Sequence, residues 1–387
     1  MKIVLIGPTY PYKGGISHHN TLLGVHLKAH GNDVQSITFT RQYPKIFYPG
    51  ETQVETGDVK TVHDAPPSKR LIDSVNPFNW YSVAKEVVRA NPDLVIFRYW
   101  LPFFGPCFGT IAKYVKQHSS SRVMFLCDNV IPHERRPGDF AFTRYAFRNS
   151  DFFIVQSDTV EQDLLKIVPK ANYKKTPHPV YEFFGASVPK SDARSKLGIQ
   201  KKNVILFFGY IRKYKGLMLL LEAFRIMRDN TKNNQALSAI MGETLLLIVG
   251  EFYDGKEKYE KFVSENQLGD HLRFVSHYVP TEEVAPYFGA ADVVALPYIS
   301  ATQSGIVQIA YNFDKPVIVT NVGGLSEIVI DGKTGYVVPP ENPQALAAAL
   351  ERFFVEDKEA EFSTNVAIEK RKYSWDRMVE TVESFMN

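Results

Sequence analysis

The feature that most constrains this chain is a repeated alternation of short apolar segments with longer amphipathic ones. The apolar segments are continuous over four to eight residues, which indicates strands of parallel sheets covered by helices on both faces. They lie at 2–7, 33–40, 94–97, 122–127 and 152–156 in the first half, and at 203–209, 244–250, 272–275, 292–297, 316–320 and 335–338 in the second half. Two such series predict an α/β protein with two Rossmann-like, doubly wound domains.

The chain length agrees with two domains, because 387 residues exceed what one ordinary core organises. The segment 179–189, rich in Pro, Gly and Ser, separates the two series and is the best linker candidate. We therefore predict a first domain over 1–190 and a second over 191–369. An amphipathic helix is predicted at 374–386.

Composition excludes several classes of protein. Hydrophobic residues make up 44% and charged residues 22%, which is typical of globular proteins and excludes disorder. Two cysteines, Cys107 and Cys127, are too few for a disulfide framework or a cysteine zinc site, and indicate a reducing compartment. The apolar runs are too short to span a membrane. The sequence thus predicts a cytoplasmic protein, with the inner face of a membrane as a possible location.

Charge is distributed unevenly along the chain. The net charge is +7 over residues 1–190 and −4 over residues 191–387. A basic first half predicts an anionic partner, either a lipid headgroup or a phosphorylated substrate. Nucleic acid is not expected, because the chain lacks a dense Lys/Arg tract interleaved with aromatic residues. The helical stretch 140–148 combines aromatic and basic residues, which fits either membrane contact or core packing.

Residues that follow predicted strands are candidates for a ligand site, because ligands bind beyond the carboxyl ends of parallel strands. Gly14-Gly15 follow the first strand and begin a helix, where backbone N–H groups can approach an anion or simply form a tight turn. In the second half, Gly209 is followed by Arg212, Lys213 and Lys215. Three cations at the end of a buried strand predict a diphosphate site.

Several motifs of the second half together resemble a known family. They are Lys215-Gly216, Pro-Val-Ile-x-Thr at 316–320, Val-Gly-Gly-Leu-x-Glu at 322–327 and Asp-Gly-x-x-Gly at 331–335. This set resembles the donor domain of retaining glycosyltransferases of family 4, also called glycosyl transferases group 1, which have the GT-B fold. The resemblance implies two Rossmann-like domains facing a cleft, with the C-terminal stretch 370–387 returning to the first domain.

The resemblance also implies a reaction. A sugar would move from a nucleotide diphosphate sugar to a hydroxyl of a glycan, glycolipid or lipid-linked acceptor, with retention of configuration, in bacterial-type cell-surface polysaccharide synthesis. Charge on the leaving diphosphate would be stabilised by Arg212, Lys215 and N–H groups at a helix start. The expected protein therefore needs no cofactor and no metal, in keeping with the absence of an Asp-x-Asp motif.

By resemblance, further residues are assigned to the donor. The family usually carries two glutamates eight residues apart, and these positions fall on Thr302 and Ala310 here. Thr302 can still hydrogen-bond hydroxyl groups. The expected donor-binding residues are, in addition to Arg212 and Lys215, the glycines Gly14, Gly15 and Gly209, the loop Thr302, Gln303, Ser304, Gly305 and Ile306, and the base-binding segment His277, Tyr278 and Val279.

The first domain is expected to supply the acceptor site. The family's donor-facing histidine follows a strand that ends here in Cys127-Asp128, so Asp128 and the nearby His133 are the candidates for contact with the reacting groups. Basic and aromatic residues after other strands fit an acceptor that bears sugars and phosphate. The expected acceptor-binding residues are His18, Arg41, Arg98, Trp100 and Arg135.

Three alternative functions share the same fold class. A GT-B 2-epimerase of sugar nucleotides would bind the donor but need no acceptor. A non-catalytic sugar-nucleotide-binding or scaffold subunit would fit the missing glutamates. A nicotinamide oxidoreductase ranks last, because the chain has no G-x-G-x-x-G fingerprint after its first strand.

Overall fold

The computed structural model describes residues 1–44, 53–54, 64–132, 136–253 and 255–386. The chain forms two compact units, one made of Met1–Pro179 with Ser374–Asn387 and the other of Val180–Tyr373. The sequence placed these boundaries at 190 and 369. Residues 180–189 instead belong to the second unit. At the two ends of that unit, the backbone N–H of Val180 donates to the carbonyl of Tyr373 at 3.0 Å.

The first unit is built on a parallel sheet of seven strands in the described residues, in the order β3-β2-β1-β4-β5-β6-β7. The strands are β1 Lys2–Ile6, β2 Asp33–Arg41, β3 Ser68–Asp73, β4 Leu94–Tyr99, β5 Arg122–Cys127, β6 Phe152–Val155 and β7 Tyr173–Lys175. The helices are α1 Gly15–Ala29, α2 Pro77–Ala90, α3 Gly105–His118, α4 Asp139–Phe147 and α5 Asp158–Ile167. The strand order reverses between β1 and β4, which is where open α/β sheets bind ligands.

The second unit repeats this architecture with six parallel strands in the described residues, in the order β10-β9-β8-β11-β12-β13. The strands are β8 Asn203–Phe208, β9 Thr244–Val249, β10 Leu272–Val275, β11 Val293–Leu296, β12 Val317–Thr320 and β13 Gly335–Val338. The helices are α6 Lys190–Lys196, α7 Leu217–Asn230, α8 Gln235–Gly242, α9 Glu257–Glu265, α10 Val284–Ala290, α11 Gly305–Asn312, α12 Leu325–Ile328, α13 Pro343–Val355 and α14 Glu359–Glu369. Here the order reverses between β8 and β11.

Buried apolar strands explain both sheets. All six residues of β4 are buried, and five of the six in β5 are buried, as expected for strands covered on two faces. The ring centroids of Phe97 and Phe125 lie 4.9 Å apart in a stacked pair across these two strands. Cys107 and Cys127 are buried free thiols in this core, and burial raises the pKa of both. The α/β class with two doubly wound units is therefore confirmed.

The last helix, α15 Trp375–Glu383, belongs to the first unit, as the resemblance implied. Trp375 is buried, and its ring stacks on His26 of α1 at a centroid distance of 5.0 Å. Further along the helix, the Nδ2 group of Asn32 donates to Glu383 at 2.8 Å. The apolar face of α15 is thus part of the core of the first unit.

Replacing Trp375 by Ala should destabilise the first unit by about 3–5 kcal/mol, because it leaves a cavity against α1. Tryptophan fluorescence during urea unfolding reports this unit selectively, since Trp80, Trp100 and Trp375 all lie in it. The exposed Arg377, two residues away, is the control. Its replacement by Ala should change the unfolding free energy by no more than about 0.5 kcal/mol. Equal effects of the two substitutions would contradict the packing of α15.

Candidate functional site

The loops that follow β8, β11 and β12 meet at the carboxyl edge of the second sheet. The backbone N–H of Ile299 donates to the carbonyl of Tyr214 at 2.7 Å, which joins the first loop to the second. The N–H of Gly324 donates to the carbonyl of Thr302 at 2.9 Å, which joins the third loop to the second. The sequence-predicted residues 209–216 and 302–306 are therefore brought together at the point where the strand order reverses.

Glycine is required where the first loop passes the second. Gly216 begins α7 with φ of 69°, in the left-handed region that glycine adopts without strain. A Cβ atom at this position would overlap the carbonyl oxygen of Pro297. The contact between Gly216 and Pro297 follows a tight turn at 213–215, in which the side chain of Lys215 points inward.

Lys215 is the most unusual group of this site. Its side chain is buried, with an exposed fraction of 8%, and its Nζ lies 5.6 Å from the ring centroid of Tyr298. No carboxylate in the described part of the chain lies within ion-pairing distance of this ammonium group. Burial, and to a smaller extent the positive charge of Arg212, lowers the pKa of Lys215 to about 7. A buried cation without a counter-ion is a site prepared for an anion.

Arg212 also lies on an aromatic ring. Its guanidinium carbon is 4.9 Å from the ring centroid of Tyr253, which follows β9. Tyr253 stacks on Tyr210 at 5.0 Å, and Tyr210 stacks on Tyr278 at 6.1 Å between centroids. Aromatic faces hold a cation without neutralising it, so the charge of Arg212 stays available to an anionic ligand.

The start of α11 completes this part of the site. Ser304 is buried, and its hydroxyl accepts from the N–H of Ile306 at 3.2 Å while donating to the hydroxyl of Tyr298 at 3.4 Å. Burial raises the pKa of Tyr298, so its hydroxyl remains protonated. The side chain of Ile306 approaches Gly209, where a Cβ atom would lie 3.2 Å from it. Lys215, the helix start and Gly209 therefore surround one small volume.

The remaining donor candidates of the second unit lie beyond β10. Val279 is buried, Tyr278 is half-buried on Tyr210, and His277 is exposed. Thr302 is buried beside the third loop. Their contacts with a nucleotide or sugar stay predictions.

In the first unit, a buried ion pair occupies the carboxyl edge where the strand order reverses. The guanidinium of Arg98 donates to both carboxylate oxygens of Asp128, with 2.6 Å between Nε and Oδ2. The same guanidinium donates to Nδ1 of His19. Arg98, which the sequence predicts as an acceptor-binding residue, is interior, with an exposed fraction of 1%. Its position is interior because β4 and β5 pair in a register that sets Asp128 beside it.

Two histidines pack against this ion pair and are kept neutral. Burial and the nearby charge of Arg98 lower the pKa of His19 well below its usual value, and the same two causes lower the pKa of His178 to about 3. The two rings lie 4.3 Å apart edge to face. Nδ1 of His19 accepts from Arg98, and Nε2 of the same ring lies 3.3 Å from Nε2 of Gln156.

The other predicted residues of the first unit are dispersed. Gly14 precedes α1 with φ of 99°, and His18 is buried in that helix. Arg41 is exposed at the end of β2 and pairs with Asp73, with 2.8 Å between Nε and Oδ1. Trp100 is buried, and its Nε1 donates to the hydroxyl of Tyr43 at 2.9 Å. The predicted residues His133 and Arg135 lie outside the described residues.

Sequence reasoning missed several residues of both sites. Gln156 follows β6, Tyr253 follows β9 and Tyr298 follows β11, so the rule that directed attention to strand ends applies to each of them. His19 and His178 carried no such signal. They join the cluster only through the packing of α1 and the segment after β7.

Comparison with known proteins identifies the family. Residues 189–372, nearly all of the second unit, match the family model of glycosyl transferases group 1. The chain is 26% identical to an uncharacterised glycosyltransferase of Methanocaldococcus jannaschii, over 98% of this chain and 96% of that protein. It is 30% identical to a D-inositol 3-phosphate glycosyltransferase of Corynebacterium urealyticum, over 59% of this chain and 54% of that protein.

Solved structures agree on the fold. Sucrose-phosphate synthase from Thermosynechococcus elongatus has a TM-score of 0.74 at 19% identity, covering 100% of this chain and 98% of that one. Anabaena HepE, solved in complex with UDP, has a TM-score of 0.74 at 16% identity, covering 100% and 99%. The fold is that of the GT-B glycosyltransferases. Residues 189–372 of this chain, within its second unit, therefore form a domain that matches the glycosyl transferases group 1.

The two neutral histidines make the first unit sensitive to acid. Their folded pKa values are depressed, so their contribution to stability is complete above the unfolded value of about 6.5 and is lost as pH falls below it. Between pH 6 and 5, the unfolding free energy should fall by roughly 2–3 kcal/mol per pH unit, measured by tryptophan fluorescence in urea. His178→Asn should halve this slope. An unchanged slope would show that His178 is protonated in the folded protein.

Lys215→Met should stabilise the second unit, because it removes a buried charge that pairs with no carboxylate of the described residues. Above pH 7 the lysine of the unfolded chain, with a pKa of 10.5, binds more protons than the lysine of the folded protein. The free energy by which Lys215 destabilises the fold is therefore fully present below about pH 7, and it vanishes above about pH 10.5. At pH 7 the gain should be about 1–2 kcal/mol by calorimetry. Lys213→Met, at an exposed position in the same turn, is the control. A loss of stability in Lys215→Met would contradict the account.

Proposed function

We propose that the protein transfers a sugar from a nucleotide diphosphate sugar to a hydroxyl of a glycan, glycolipid or lipid-linked acceptor, with retention of anomeric configuration. The observation that carries this proposal is the buried side chain of Lys215 beside Arg212, at the strand-order reversal of the second unit. Among the described residues, no carboxylate lies within ion-pairing distance of it. A diphosphate fits these two cations in charge. Anabaena HepE, a structural neighbour, has been solved with UDP-glucose, which supports a nucleotide sugar as the donor.

The proposed reaction needs no protein nucleophile. The bond between the anomeric carbon and the diphosphate oxygen breaks, and its electron pair goes to the leaving diphosphate. The acceptor hydroxyl attacks from the same face and gives its proton to the departing phosphate oxygen. Arg212, Lys215 and the N–H groups at the start of α11 stabilise the charge that develops, which is the role a divalent cation has in other transferases.

The loop after β11 is proposed to contact the donor sugar. Thr302 falls on the first of the two positions at which the family usually has a glutamate. With Gln303 and Ser304 it offers hydroxyl and amide groups in place of that carboxylate. The hydrogen bond between Gly324 and Thr302 fixes the backbone of this loop, so its polar groups are held ready before the donor binds. The segment His277–Val279 is proposed to contact the base.

The acceptor is proposed to bind the first unit and to be presented at the surface of an anionic membrane, as a step of cell-surface polysaccharide synthesis. The support is the net charge of +7 over residues 1–190. Within the described residues, no helix is long and apolar enough to cross a bilayer. Asp128, held by Arg98, is the candidate for contact with the reacting hydroxyl.

Two measurements test the proposal against its alternatives. In a thermal-shift panel of UDP-, GDP- and ADP-glucose, the donor nucleotide should raise the melting temperature, since ligand at 100 times its Kd adds roughly 2.7 kcal/mol. Release of nucleoside diphosphate should then depend on an added acceptor. A 2-epimerase would instead isomerise the sugar without acceptor, and a binding subunit would show the thermal shift without turnover. A chain that gives no shift with any of the three contradicts the donor site.

Lys215→Ala should lower kcat more than it raises KM, because leaving-group charge is largest in the transition state. By analogy with the loss of one preorganised oxyanion donor, the cost should be about 2.7–4 kcal/mol, roughly a hundred- to thousandfold in rate. Arg212→Lys should restore only part of the wild-type rate, since an ammonium cannot form a two-pronged contact with phosphate. Lys213→Ala is the matched control and should turn over normally. Normal turnover in Lys215→Ala would refute the role of this cation.

A further inference from the structure

Among the described residues, the exposed Phe and Tyr side chains are confined to one layer of helices. In the described residues, five aromatic rings are more than a third exposed, with fractions between 37% and 88%, and all five lie on α2 and α4 of the first unit. They are Phe78, Tyr81, Phe140, Phe142 and Tyr145. Scattered exposed rings are ordinary on a protein surface, but rings that all lie in one layer mark an interaction site.

The two helices that carry these rings are joined through a third. Helix α3 packs against both α2 and α4. On one side, the ring of Tyr81 contacts that of Tyr114 with 6.3 Å between centroids, and on the other the hydroxyls of Tyr145 and Thr110 lie 3.0 Å apart. The three helices follow β3, β4 and β5, so their first turns all lie at the carboxyl edge of the sheet. Phe78 and Phe140, each in a first turn, are therefore at that edge.

The same layer carries cations without counter-ions. Its exposed cations include Lys85, Lys113, Arg144 and Arg148, and none of these four pairs with a carboxylate among the described residues. The three helices contain only two carboxylates, and one of them, Glu86, already pairs with Lys69 at 2.7 Å. The other, Asp139, is bound to the backbone N–H of Arg136 at 2.7 Å. The layer is thus both aromatic and positively charged.

Rings and cations are arranged in stripes along the helices. On α2, Phe78, Tyr81 and Lys85 follow each other at three and four residues, and therefore share one face. On α4, Phe140 and Arg144 are four residues apart, with Arg148 four residues further on. In both helices the ring comes first and the cation follows one or two turns later. A bilayer surface matches this order, since rings lie at the acyl boundary and cations among the headgroups.

We propose that the outer face of α2, α3 and α4, here called the aromatic face, is the surface with which the protein binds an anionic lipid bilayer. The charge of the face is complementary to such a surface, on which each Lys or Arg contributes by long-range attraction. The rings add a short-range contribution that salt does not screen. This inference gives a location to the membrane contact of the proposed function and rests on that contact, but not on the transfer reaction.

The experiment measures binding of the full chain to sedimented vesicles, either pure phosphatidylcholine or the same lipid with 30% phosphatidylglycerol. The wild type should bind the anionic vesicles, and more weakly as salt rises from 50 to 500 mM. Arg144→Gln with Arg148→Gln should weaken binding about 25-fold, since one cation near the surface accounts for about fivefold. Phe78→Ser with Phe140→Ser should weaken it by a similar factor, because only part of each ring leaves water.

Matched controls separate this face from the rest of the surface. Lys170→Gln with Lys202→Gln removes two exposed cations elsewhere, and Val355→Ser with Ile368→Ser removes two exposed apolar side chains of the second unit. Both control pairs should bind vesicles like the wild type. The thermal shift with nucleotide sugar should be unchanged in all four variants, which keeps the test independent of the donor site.

Three results would overturn the proposal. A wild type that binds no vesicle refutes both the membrane contact and its location. If the wild type binds vesicles and the variants of the aromatic face bind equally well, the location alone is refuted. The same holds if the control variants lose as much vesicle affinity as the variants of the aromatic face. A dimer in sedimentation analysis that Phe78→Ser dissociates would show that a second copy of the chain covers the face, and not a bilayer.

Discussion

The site of the second unit depends on one buried lysine, Lys215, which has no carboxylate partner among the described residues. Proteins ordinarily pair a buried cation with a carboxylate, and breaking such a pair costs several kcal/mol because the remaining charge is uncompensated. Lys215 is in that uncompensated state in the structure, held by the tight turn that Gly216 closes and faced by the ring of Tyr298. The fold tolerates this cost because the turn, the loop after β11 and the start of α11 are fixed by backbone hydrogen bonds.

The two units use their strand-order reversals in opposite ways. In the first unit, Arg98 is neutralised by Asp128 and surrounded by neutral histidines, so the edge of the sheet is rigid and electrically balanced. In the second, Arg212 and Lys215 face tyrosines instead of carboxylates, so their charge is left for a ligand. The same topology thus holds a neutralised ion pair in one unit and, as we propose, an anion site in the other.

The sequence predicted the α/β class and most strands, because buried parallel strands are continuous apolar runs. It missed β3 and β7, which are edge strands with polar sequences such as Tyr173–Lys175. Lys215 was found from its place after a buried strand. The rings that face the two cations were not, since Tyr253 and Tyr298 come from distant loops. Likewise, Arg98 and Asp128 were each noticed, but only the folded structure shows that their side chains pair.

The most direct test of the account is the number of protons taken up when the donor binds. With a pKa of about 7, Lys215 is mostly neutral at pH 7.5 and must be protonated beside a diphosphate. The ligand is the nucleotide sugar that gives the largest thermal shift, and it is titrated by calorimetry in two buffers of different ionisation enthalpy. The difference between the two buffers should show that binding takes up roughly three quarters of a proton. A nucleotide sugar has no phosphate that titrates near this pH, and Lys215→Met should abolish the uptake. Binding of the same affinity to wild type and Lys215→Met, without proton uptake in either, would contradict the account.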